Sequence, residues 1–117
     1  MTRVLLVEDE VDLLEIVSEG LDAHGMHVTG ARSGVVALSH LRGGGAFDVL
    51  VSDIAMPGGV SGIDVAVEAS RAHMPLRIIL TSGHPLSHFP ALPENVTFLS
   101  KPYRLRQLLE AMQAAIP

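Results

Sequence analysis

The sequence predicts an α/β fold built on a five-stranded parallel sheet. Short apolar runs recur at residues 4–7, 49–52, 77–81 and 96–99, and uninterrupted runs suit parallel strands covered on both faces. Between them lie stretches with apolar residues at three- and four-residue spacing, the period of a helix. Glycine, proline or a capping residue marks the junctions. Strands alternating with helices at these lengths call for right-handed crossovers and a parallel sheet.

Taken in order, Val4-Leu5-Leu6-Val7 forms the first strand and the acids Glu8-Asp9-Glu10 follow it. Asp9 is expected to cap a helix carrying Leu13, Ile16, Val17 and Leu21, which Gly25 ends. Val28 and its neighbours give a short second strand, weak in pattern. Ser33 is placed to cap a helix with Val36, Ala37 and Leu41, closed by Gly43-Gly44-Gly45. That glycine run lacks the Lys-Ser/Thr of a phosphate loop.

The third strand, residues 49–52, ends at Asp53, and Ile54-Ala55-Met56-Pro57-Gly58-Gly59 turns away at once. Ile63, Ala66 and Val67 mark a helix that stops before Pro75. The fourth strand ends with Thr81 and runs into Ser82-Gly83-His84-Pro85, and Val96-Thr97-Phe98-Leu99 is the fifth. A last helix carries Leu105, Leu108, Leu109, Met112 and Ile116. Pro85, Pro90 and Pro93 leave little room for a regular helix between strands four and five, so residues 85–95 are read as a loop or one short turn.

The C-terminal ends of parallel strands share one rim, where open α/β sheets bind their ligands. This gathers Glu8, Asp9, Asp53, Thr81-Ser82 and Lys101. A carboxylate ending a buried strand is costly unless it stands at such a mouth. Three carboxylates together raise one another's pKa unless a cation sits among them. Oxygen ligands without cysteine point to a hard ion, Mg²⁺ before Zn²⁺. Asp53 suits a nucleophile that attacks phosphorus. Glu8 and Asp9 suit metal ligands, and Lys101 and a hydroxyl suit partners for phosphoryl oxygens.

Composition removes other classes. With 8 basic and 13 acidic side chains in 117 residues and a formal net charge of −5, a nucleic-acid surface of clustered Lys and Arg is not expected. No cysteine is present, so thiolate chemistry and disulfides are excluded. No run of 18 apolar residues and no basic-then-apolar leader appear, which makes the cytoplasm the expected compartment and membrane insertion unexpected. The six histidines show no metal-site spacing, although His84 lies beside the proposed site.

Four stretches in order carry a resemblance: Val4-Leu5-Leu6-Val7-Glu8-Asp9-Glu10, Val51-Ser52-Asp53-Ile54-Ala55-Met56-Pro57-Gly58, Leu80-Thr81-Ser82-Gly83 and Phe98-Leu99-Ser100-Lys101-Pro102-Tyr103. Over nearly its whole length the chain resembles a response-regulator receiver domain of two-component signalling. The resemblance implies a single doubly wound domain with strand order 2-1-3-4-5. It implies that Asp53 is the phosphoacceptor, and that Glu8, Asp9, Asp53 and the Ala55 carbonyl hold Mg²⁺. Lys101 would meet the phosphoryl group, Ser82 would be the switch hydroxyl and Phe98 the switch aromatic. The Lys101-Pro102 bond would be cis.

Two features depart from that pattern. The Gly58-Gly59-Val60-Ser61-Gly62 loop is one residue longer than the usual form, and the fourth crossover helix is short or missing. Receivers shortened in this way are similar to those attached to or paired with sensor kinases. The expected partner is therefore a sensor histidine kinase or a histidine phosphotransfer protein, without direct nucleic-acid binding. No effector follows Ile116-Pro117, so the chain is expected to stand alone as a relay or to come from a longer protein. The alternatives are an interaction module that signals without phosphate and, less favoured, an independent hydrolase using an aspartyl phosphate.

Overall fold

In the central strands successive side chains point to opposite faces, and both faces here are apolar. One face of the sheet carries Leu5, Val7, Leu50, Ile78 and Leu80, and the other carries Val4, Leu6, Val49, Val51 and Ile79. Each face therefore needs a helical cover. The computed structural model describes residues 1–72 and 76–114. Its elements run β1 (Arg3–Val7), α1 (Val11–Ala23), β2 (His27–Ala31), α2 (Gly34–Arg42), β3 (Val49–Asp53), α3 (Gly62–Ala72) and β4 (Arg77–Ser82). A single 3-10 turn (Leu86–His88), β5 (Val96–Ser100) and α4 (Leu105–Ala114) complete them.

All neighbouring strands pair in parallel, in the order β2-β1-β3-β4-β5. Helices α2 and α3 cover the first face through Ala37, Leu41, Val65, Ala66 and Ala69. Helices α1 and α4 cover the second through Val17, Leu21, Leu108 and Met112. This is the doubly wound arrangement expected from the sequence. Among the described residues no helix is long and apolar enough to cross a membrane.

Local expectations fared unevenly. Ser33 caps α2, its hydroxyl accepting from the Val36 N–H at 3.2 Å. Gly25 takes a positive φ of 80° just past α1, a conformation that favours glycine. Asp9 does not cap α1. The N-cap position belongs to Glu10, whose side chain makes no capping hydrogen bond. Ile16, Val36 and Val67 follow helical spacing but are 66%, 42% and 39% exposed, so they lie on solvent faces rather than in the core. Strand β4 runs one residue further than expected, to Ser82, which pairs in register with Ser100. His73, Pro75 and Ile116 lie outside the described residues.

No α-helix connects β4 to β5. The prolines leave only the 3-10 turn, and Phe89 and Leu92 from this connection pack against the cluster under α2 and α3. The connection thus supplies its own apolar cover to that end of the sheet. The Lys101-Pro102 peptide is cis, as expected.

Candidate functional site

The ends of β1, β3, β4 and β5 build the rim. The Glu8 N–H donates to the Ala31 carbonyl at 2.9 Å, continuing the β1–β2 ladder one residue beyond β1, and the Glu8 side chain is buried there. Asp53 closes β3 opposite Thr81 in the β3–β4 register. The Ile54 N–H then donates to the Thr81 carbonyl at 2.9 Å, holding the backbone beyond Asp53 against β4. On the far side, the Lys101 N–H donates to the Ser82 carbonyl at 2.8 Å and sets the start of the β5–α4 turn.

These anchors bring Glu8, Asp9, Asp53 and Lys101 together. Carboxylate oxygens of the three acids all lie within 4.8 Å of one another. Lys101 Nζ is 2.7 Å from Glu8 Oε1 and 3.3 Å from Asp53 Oδ2. Glu8 is only 3% exposed, and its second oxygen accepts from the Glu10 N–H at 3.1 Å. The Glu10 amide is a partner that no sequence pattern announced, because it acts through its backbone. The Ala55 carbonyl belongs to the turn leaving β3, two residues after Asp53.

Ser82 is buried at the end of β4, and its hydroxyl accepts from the His84 N–H at 2.9 Å. Phe98 is half-buried and packs on the cluster under α2 and α3. The ring of His84 stacks on His88, with centroids 5.8 Å apart, and meets Phe89 edge-on. A cleft of about 530 Å³ opens beside Lys101, lined by Glu10, Leu13, Gly83, Pro102 and Tyr103.

The electrostatics follow from burial and crowding. Burial pushes the Asp53 carboxyl up, the Lys101 charge pulls it down, and Glu8 and Asp9 push it up again; it settles at about 6. Burial draws the Lys101 ammonium downward, but its hydrogen bond to Glu8 and the Asp53 and Glu8 charges outweigh this and hold it above its ordinary value. Tyr103 is pushed up to about 12, by burial first and then by the Glu8 charge. Three carboxylates face one ammonium, so the cluster carries excess negative charge at neutral pH. It can hold a divalent cation, and its oxygen-only donors fit a hard one.

The sequence matches the response regulator receiver domain over residues 4–113. The chain belongs to this family. A receiver protein of known structure from Sinorhizobium medicae is 30% identical, with a TM-score of 0.90 over 97% of this chain and 93% of that one. The response regulator TrrA of Thermotoga maritima, solved in complex with Mg²⁺–BeF, is 29% identical, with a TM-score of 0.80 over 99% of this chain and all of that one. The sensor kinase CckA of Brucella abortus is 37% identical over 90% of this chain, which covers 11% of the kinase. Within the family, this receiver has an acidic pocket able to take a divalent metal, and its relatives include both the receiver of the kinase CckA and the transcriptional regulatory protein CpxR of Klebsiella pneumoniae, 32% identical over 99% of this chain. The chain spans about half or less of the length of these curated relatives.

Proposed function

We propose that this receiver accepts a phosphoryl group on Asp53 from a phosphohistidine of a sensor histidine kinase or a histidine phosphotransfer protein. The observation that carries the reading is the Lys101 ammonium bridging Glu8 and Asp53 at 2.7 and 3.3 Å inside the three-carboxylate cluster. It makes Asp53 a nucleophile with a fixed cation beside it. An Asp53 oxygen attacks phosphorus, a P–O bond forms, the P–N bond of the donor breaks, and the imidazole leaves. Water later attacks the same phosphorus, and the aspartyl oxygen leaves with release of inorganic phosphate.

Glu8, Asp9, Asp53 and the Ala55 carbonyl would hold Mg²⁺, which when bound neutralises charge on the transferring oxygens. Lys101 moves from its pairing with the carboxylates to a phosphoryl oxygen. The Ser82 hydroxyl, now engaged by the His84 amide, turns toward the phosphoryl group, and Phe98 follows it inward. Phosphorylation biases a pre-existing equilibrium, displayed on the 85–103 side of the domain. The likeness to TrrA, which was solved with Mg²⁺–BeF, and to CckA supports the cofactor and the partner class.

Intact-mass spectrometry after incubation with acetyl phosphate and Mg²⁺ tests the assignment. The expected result is one added phosphoryl group on the wild type, lost on omitting Mg²⁺ and absent from Asp53→Asn. An Asp53→Asn variant that takes up phosphate at the wild-type rate overturns it. No adduct on any form, with no response to beryllofluoride, favours a receiver that binds partners without phosphate.

A further inference from the structure

The loop between β3 and α3 leaves the site and returns to it. At its base the Gly62 N–H donates to the Ile54 carbonyl at 2.9 Å. Gly62 also lies so close to the Asp53 peptide that a side chain there would collide with the Asp53 carbonyl. Farther out, Gly58 and Gly59 take φ of 100° and 81°, values that favour glycine, and turn the chain so that Val60 reaches α2. There Val60 lies over Gly34, the buried first residue of that helix. A Cβ built at Gly34 would stand 2.6 Å from Val60 Cγ1 and 2.7 Å from the Val60 carbonyl oxygen. Ala55 sits between these two anchor points.

We propose that Gly34 is a positioning residue for the Asp53 site: its bare Cα seats Val60, and through Val60 it sets where the loop holds the Ala55 carbonyl. A helix that contributes no ligand thereby tunes metal affinity. The inference rests on the metal reading given under the proposed function. Two physical points carry it. Ordinary carbon contacts are about 3.5–4.0 Å, and one of the obstructing atoms at Gly34 is backbone, so a side-chain rotation of Val60 does not clear the space. The loop itself must retreat, while a magnesium ligand tolerates little displacement from octahedral geometry. Gly34 is not among the positive-φ glycines, and alanine favours helix over glycine. Backbone strain therefore does not explain a loss in Gly34→Ala; the Val60 contact does.

The test is a double-mutant cycle on the intact chain with Gly34→Ala, Val60→Gly and the pair. Mg²⁺ affinity is read by titrating amide NMR shifts, with urea unfolding and phosphoryl transfer from acetyl phosphate run in parallel. Gly34→Ala is expected to weaken Mg²⁺ binding about tenfold, in the range seen for residues supporting metal ligands. Its phosphoryl transfer should recover toward the wild-type rate at saturating Mg²⁺. Val60→Gly should also weaken binding, and the pair should be no weaker than the worse single variant. Gly34→Ala binding Mg²⁺ within twofold of wild type, or a fall in stability with affinity unchanged, overturns the inference and leaves the function intact. If Gly34→Ala does not fold, Val60→Gly decides alone: a twofold or smaller effect overturns the inference, and a larger one supports it. A wild type that neither binds Mg²⁺ nor accepts phosphate overturns the functional reading first.

Discussion

Under the proposed function Asp53 has to be ionised to attack phosphorus, and its buried place among other acids resists that ionisation. Burial and the neighbouring acids lift it to about 6 from an ordinary 3.8, despite Lys101. The folded protein therefore binds that proton more tightly than the unfolded chain does. The resulting stability is fully present below about pH 4 and is lost as the pH rises through about 6. Asp53→Asn cannot ionise and escapes the loss. In metal-free buffer the variant should exceed the wild type in stability at pH 8, by at most about 3 kcal/mol at 1.36 kcal/mol per pH unit. The gap should shrink as the pH falls below 6 and level off near 4. Urea unfolding at pH 4, 6 and 8 checks this, and a gap independent of pH would mean that Asp53 titrates as an ordinary carboxylate.

At the scale of elements, what could be read from the sequence depended on how local its cause was. β1, β3 and β4 announced themselves because both faces are buried, so their residues are apolar without interruption. Ser33 was legible because a cap acts over three residues. Asp9 was misread because three acids in a row offer three candidate caps, and only the backbone conformation selects Glu10. Ile16, Val36 and Val67 followed helical spacing, but spacing alone does not say how wide a stripe the sheet covers. The clustering of Glu8, Asp9, Asp53 and Lys101 was legible through topology, since parallel strands end on one rim. The Gly34–Val60 contact was not, because nothing in either segment names the other. The connection after β4 falls between these cases. Its prolines forecast the missing helix, while the return of Phe89 and Leu92 to the core depends on tertiary packing. Half-buried Phe89 takes over part of a helix's covering role, so Phe89→Ala should destabilise the domain by about 2 kcal/mol, below the 3–5 kcal/mol of a fully buried ring. Urea unfolding measures that loss. Mg²⁺ affinity should stay unchanged, because the contacts of Phe89 are with the apolar cluster and the His84 ring; a parallel fall would tie this connection to the site.

For the molecule as a whole, the sheet holds its two helical layers together while its rim concentrates like charges. A chain of net charge −5 gathers three of its carboxylates within 4.8 Å and gives them one ammonium. Unfolding disperses these acids, so the repulsion belongs to the folded state and a cation that relieves it binds that state selectively. Such a ligand stabilises by about 2.7 kcal/mol at a hundredfold excess over its dissociation constant. In a domain of this size that is a rise in Tm of about 10 °C, at about 4 °C per kcal/mol. Thermal unfolding at pH 7.5 should therefore show a Tm that climbs with Mg²⁺ and stays flat with NaCl at matched ionic strength. At pH 5, where Asp53 is mostly protonated, the climb should require far more Mg²⁺. Asp53→Ala should lose most of it at either pH, since one of the three carboxylates is gone. A wild-type Tm that follows ionic strength alone would mean that the cluster repels without binding, and Lys101 would then be its only counterion among the described residues.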